Sequence, residues 1–110
     1  PFCTAYSIKC YQFLQPIPSI GYPNQVNEKI SSLRDSKSKE NSKYFYSQIN
    51  HYANILDKNS FVFIDASKVF RNYKGNSAYV DGFHYSRGGN KKLGSFIHNS
   101  IIESGNNALN

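Results

Sequence analysis

The chain has 110 residues and a formal charge of +6, which bounds it to one small domain. Its hydrophobic share of 39% rests largely on 9 Tyr and 8 Phe. That share supplies a packed core and excludes a disordered chain, while no apolar run reaches bilayer length and no signal-peptide pattern opens the sequence. The 13 Lys and Arg are scattered, with only Lys91 and Lys92 adjacent, so the charge reads as a solvated basic surface and argues against a nucleic-acid partner. Met is absent, position 1 included, and the chain is expected to be a piece of a longer one.

In chain order, Phe2, Tyr6 and Cys10 recur at four-residue spacing, as in the tail of a helix. Cys3 and Cys10 lie seven residues apart. On a continuous helix that is about 10 Å of rise, too far for a disulfide, so both are expected to be free, semi-buried thiols. Without a His cluster they make a poor zinc site. "YQFLQPIP" (Tyr11 to Pro18) reads as a short apolar strand ended by its prolines, which cannot donate to a ladder. Residues 21–42 turn polar and read as a surface excursion. From Lys43 to Asn59 the spacing of Phe45, Ile49, Tyr52, Ala53 and Leu56 predicts a helix with those residues on its inner face. "FVFID" (Phe61 to Asp65) is a continuous apolar run of β-formers, expected of a strand covered on both faces. Strand, helix and strand at this length predict a βαβ unit with a parallel pairing and a right-handed crossover. A short helical or irregular piece and a Gly-containing loop follow. Leu93, Phe96, Ile97 and Ile101 then predict a last helix capped by Ser86, with a frayed tail from Glu103. Two parallel strands do not make a self-sufficient core, so the chain reads as one partial α/β domain over residues 1–110.

The stretch "DGFHYSRGGN" (Asp81 to Asn90) carries the chemistry. A neutral imidazole takes a proton from a hydroxyl nucleophile and returns it to a leaving group. It does so better when a carboxylate fixes its tautomer. Three-residue spacing in a turn brings Asp81 to the Nδ1 side of His84 and leaves Nε2 outward. The pattern alone is common in surface turns. Its setting, in a loop after a parallel-strand region and before a helix, is where open α/β sheets bind ligands.

"YVDGFHYSRGGNKKLGSFI" (Tyr79 to Ile97) resembles the last conserved block of the SGNH, or GDSL-type, serine esterases and acyltransferases. "FLQPIP" and "FIDASKVF" resemble the strands leading up to it, so the resemblance covers most of residues 11–103. It implies a flavodoxin-like three-layer α/β/α parallel sheet, of which this chain is the C-terminal part. It implies that Asp81 orients His84 and that His84 is the general base for a serine. It also implies an acyl-serine mechanism on an ester-containing small molecule, a lipid or an acylated carbohydrate, without a cofactor or metal. The family's Gly-Asp-Ser block and its oxyanion-hole glycine and Gly-x-Asn-Asp block have no counterpart here. "GNS" (Gly75 to Ser77) and "SGNN" (Ser104 to Asn107) imitate them at the wrong places in the chain. The isolated chain is therefore expected to be inactive, its partner being the missing N-terminal half of the domain.

Other residues carry weaker readings. Gln15, Tyr79, Phe83 and Tyr85 are candidates for a substrate pocket, with packing beneath the last helix the alternative for the three aromatics. Asp65 reads as a cap after its strand, and His51 and His98 as surface histidines. Ser67 and Ser86 read as cap or turn residues rather than nucleophiles. The competing reading of the whole is a non-catalytic basic binding or structural module in which Asp81 and His84 form only a turn.

Overall fold

The computed structural model describes residues 2–18, 20, 36–55, 61–82 and 84–107. The described elements are α1 (Phe2–Ala5), β1 (Cys10–Leu14), α2 (Ser36–Ala53), β2 (Phe61–Asp65) and α3 (Arg87–Asn107). The molecule is mixed α/β. The two strands form a small parallel sheet in register Cys10↔Phe61 through Leu14↔Asp65.

The N-terminus corrects the reading of the cysteines. Cys3 and Cys10 form a disulfide, with Cα atoms 6.0 Å apart. The rise argument assumed that the helix runs on to Cys10, but α1 stops after Ala5. The Ile8 amide donates to the Cys3 carbonyl at 2.9 Å and the Ser7 amide to the Thr4 carbonyl at 3.2 Å. That pair of bonds is a Schellman cap, with Ser7 in the left-handed position usually held by glycine (φ 53°). The cap reverses the chain and carries Cys10 back to Cys3.

β1 ends at Leu14, two residues before Pro16, rather than running to the prolines. α2 begins at Ser36, seven residues before Lys43, so the end of the expected polar excursion is helical. An apolar stripe was the signal sought. The first two turns have none, and they rest instead on Lys and Glu helix propensity and on an exposed surface. The helix ends at Ala53, and Leu56 lies outside the described residues, as do 21–35 of the excursion. Its inner face also differs. Tyr46 is buried and Ile49 packs beside it, while Phe45 and Tyr52 are 61% and 62% exposed. Ile49 and Ala53 of the predicted face turn inward, and Tyr46 takes the place expected of Phe45, so the buried face is rotated toward Tyr46.

β2 matches its predicted bounds, but its first four residues are only half-buried and Asp65 is exposed, so neither face is fully covered by described residues. Two small cores result. Leu14, Ile17 and Tyr46 form one, with Ile20, Ile49 and Phe63 against it. Phe70, Ala78 and Tyr79 form the other, with Val69, Tyr73, Tyr85 and Leu93. α3 starts at Arg87 and continues to Asn107, through residues expected to fray. No described helix is long and apolar enough to cross a membrane.

Candidate functional site

The segment after β2 winds through successive turns. Val69, Arg71 and Tyr73 donate to the carbonyls three residues back, at 3.0–3.1 Å. This buries Phe70 and sets its ring edge-on to Tyr73, Tyr79 and Tyr85, with centroids 5.4–5.8 Å apart. Edge-to-face pairs of this kind add about 0.5–1.5 kcal/mol beyond area burial. Above the cluster the chain doubles back. Tyr79 and Tyr85 form an antiparallel bridge, closed by Val80 N–H to the His84 carbonyl (2.9 Å) and Ser86 N–H to the Ala78 carbonyl (2.8 Å). The tip of this small hairpin holds Asp81 and His84.

Asp81 holds His84 twice. Its Oδ1 accepts the His84 backbone N–H at 2.7 Å. Its Oδ2 lies 2.7 Å from His84 Nδ1. A carboxylate offers only lone pairs, so Nδ1 carries the proton and donates. In the neutral ring that leaves the Nε2 lone pair free to accept a proton. The side chain of His84 is 77% exposed and that of Asp81 45%, so the ring is open to a reacting group.

The helix start fixes the other end of the hairpin. Ser86 Oγ accepts the Gly89 N–H at 3.1 Å and donates to the Ser77 carbonyl at 2.7 Å, which is the N-cap role expected of it. Ser77 Oγ in turn accepts the Tyr79 N–H at 3.1 Å. Gly89 lets the first turn of α3 sit on residues 77–78, since a β-carbon there would overlap the Ala78 carbonyl oxygen. The Gly89–Asn90 pair belongs to the block the sequence resembles, but the steric reason for Gly89 is not visible there; it comes from Ala78, eleven residues earlier.

The hairpin also meets the end of β1. Tyr85 Oη donates to the Pro16 carbonyl at 2.8 Å. Tyr46 Oη donates to the adjacent Gln15 carbonyl at 2.6 Å. Gln15 itself is exposed at the carboxyl end of β1. It lines an open groove of about 670 Å³ with Leu14, Ile17, Ser42, Tyr44 and Tyr46, which neither Asp81 nor His84 lines. Tyr79 is buried in the aromatic cluster, so packing is its observed role. Tyr85 is half-buried there, and burial pushes its phenol above the usual 10.0. Phe83 lies outside the described residues.

Asp65 caps the turn after β2: its Oδ1 accepts the Ser67 N–H at 2.8 Å, and its Oδ2 takes Asn50 Nδ2 at 3.4 Å. His51 and His98 are exposed on their helices. Among the described residues no group of three or more His, Cys, Asp or Glu is placed to hold a metal ion.

No protein-family model matches this chain, and no curated protein or solved structure matches it significantly.

Proposed function

We propose that this chain carries the base half of an SGNH-like serine esterase or acyl hydrolase. The observation that supports the reading best is the doubly held imidazole, its Nδ1 on Asp81 Oδ2 and its ring open to solvent. In this reading His84 Nε2 takes the proton of a serine hydroxyl as the serine attacks an ester carbonyl. The resulting imidazolium, stabilised by Asp81, then protonates the departing alkoxide. The acyl-serine formed is cleared by a water activated in the same way. The serine and the oxyanion donors come from sequence outside this chain, because no Gly-Asp-Ser or Gly-x-Asn-Asp block occurs within it. The substrate class is an O-acyl ester of a small molecule, lipid or carbohydrate.

A serine-directed fluorophosphonate probe tests this on the whole product of the source gene. Rapid labelling in the wild type that slows by orders of magnitude in His84→Ala supports the base role. Equal labelling of both proteins would remove His84 from the chemistry, and no labelling of either would favour the non-catalytic module. The 110-residue chain alone should turn over an unactivated alkyl acetate no faster than free imidazole does.

A further inference from the structure

We propose that Tyr85 is a positioning residue for the Asp81–His84 pair, its phenol tying the base turn to the carboxyl end of β1. The proposal deepens the reading of His84 as a base and takes its functional meaning from it, although the geometry stands apart from that reading.

Tyr85 follows His84 directly, and its backbone forms the bridge to Tyr79 that closes the hairpin. Its ring leaves the hairpin and enters the aromatic cluster, 5.7 Å from Phe70 and 5.4 Å from Tyr79. Its hydroxyl then reaches the Pro16 carbonyl, 69 residues away in sequence. The acceptor sits at a corner that a sheet cannot anchor. β1 has ended at Leu14, and Pro16 has no N–H to give. The two carbonyls of that corner, Gln15 and Pro16, are met by tyrosine hydroxyls from two different elements, Tyr46 of α2 and Tyr85 of the base turn. Tyr46 meets the Gln15 carbonyl from the helix without touching the base turn, and Tyr85 alone ties the Pro16 carbonyl to the residue next to His84. Without the phenol the hairpin keeps its two backbone bonds, the Ser86 bond to Ser77 and its aromatic packing, and loses its hydrogen bond to the end of the strand. One of the two Asp81 contacts is to the His84 backbone N–H, next in the chain to Tyr85, so a hairpin loosened at Tyr85 loosens that hold on His84. To the pocket-lining and packing roles expected of Tyr85 the bond adds a load path from the sheet to the base.

The tyrosine pair supplies its own control. Tyr85→Phe and Tyr46→Phe each remove one hydroxyl from adjacent carbonyls, but only the first touches the base turn. In the whole product of the source gene, backbone ¹⁵N relaxation and long-range ¹H–¹⁵N correlation of the His84 ring read the result. We expect Tyr85→Phe to lower the order parameters of Asp81 and His84 from about 0.85, typical of rigid backbone, toward values below about 0.6. The neutral ring should shift from the Nδ1–H tautomer toward the Nε2–H form. Tyr46→Phe should leave both readouts at wild-type values. If Tyr85→Phe does not fold, 4-fluorophenylalanine in place of Tyr85 fills the space of the hydroxyl without a donor and carries the same expectation. Wild-type order and tautomer in a folded Tyr85 variant overturn the proposal. So does equal loosening by Tyr46→Phe, or loss of the fold in both Tyr85 variants, since either makes the tyrosine a stability residue alone. None of these readouts uses turnover, so an inactive His84 leaves the positioning result standing.

Discussion

The cluster beneath the base turn and the cluster between the sheet and α2 differ in closure. Phe70, Ala78 and Tyr79 are 1%, 0% and 2% exposed, and the residues packed on them come from a short span of chain, Val69 to Leu93. Leu14, Ile17 and Tyr46 keep 7–8% exposure and draw on residues from Leu14 to Phe63. Around the second cluster, Phe45, Tyr52 and Ile55 stay exposed and β2 is half-covered. The difference is one of contact range. The base turn rests on aromatic packing by residues near it in the chain. The sheet needs cover from further away, as parallel sheets do.

Single substitutions should separate the two regions. Phe70→Ala removes a ring buried among three tyrosines and should cost about 3–5 kcal/mol. Phe45→Ala should fall within about 0.5 kcal/mol, as exposed sites do. Urea melts of the two variants check the contrast, and similar losses would erase it. Gly89→Ala comes next. Its β-carbon meets backbone, the Ala78 carbonyl, so the helix start must shift, at about 1–3 kcal/mol. At Gly88 the obstacle is the end of the Tyr73 side chain, which can swing away, so Gly88→Ala should cost less.

Two smaller effects follow. Ser7→Gly relieves the left-handed strain at the α1 cap, set against the extra freedom glycine gives the unfolded chain. The expected net gain is up to about 1 kcal/mol, the left-handed cost of about 1–2 kcal/mol less the roughly 0.4–1 kcal/mol that glycine's freedom costs in the unfolded chain. A thermal melt of the oxidised protein reads it, and a loss of stability would contradict the cap. The last effect is alkaline. Burial raises the folded-state value of the Tyr85 phenol above its unfolded one. The stability it contributes is complete below pH 10.0 and is lost as pH climbs through the raised value. Tyr85→Phe should flatten that part of the pH profile.

What the sequence made legible divides along the same line. The β2 run and the Ser86 cap are local signals, and the fold places both where they were read. The closeness of Asp81 to His84 Nδ1 was readable too, because a three-residue turn needs no distant help. The start of α2 was not legible, since a polar exposed helix carries no apolar stripe. On its inner face Ile49 packs where it was read, while Tyr46, whose hydroxyl bonds the Gln15 carbonyl, holds the buried place that periodicity gave to Phe45. The disulfide was missed because a serine, not a glycine, holds the left-handed cap that turns the chain. The Tyr85–Pro16 link and the need for Gly89 depend on segments distant in sequence, which no window of a single sequence contains.

Turnover of an alkyl acetate by the whole product of the source gene tests the central claim most directly, comparing wild type, Asp81→Asn and His84→Ala. If Asp81 holds His84 as the base, Asp81→Asn should lower kcat by about 10⁴, the cost of the wrong imidazole tautomer, and His84→Ala by at least as much. Near-wild-type turnover in His84→Ala would remove the imidazole from the chemistry and leave Asp81 and His84 as a hydrogen-bonded turn.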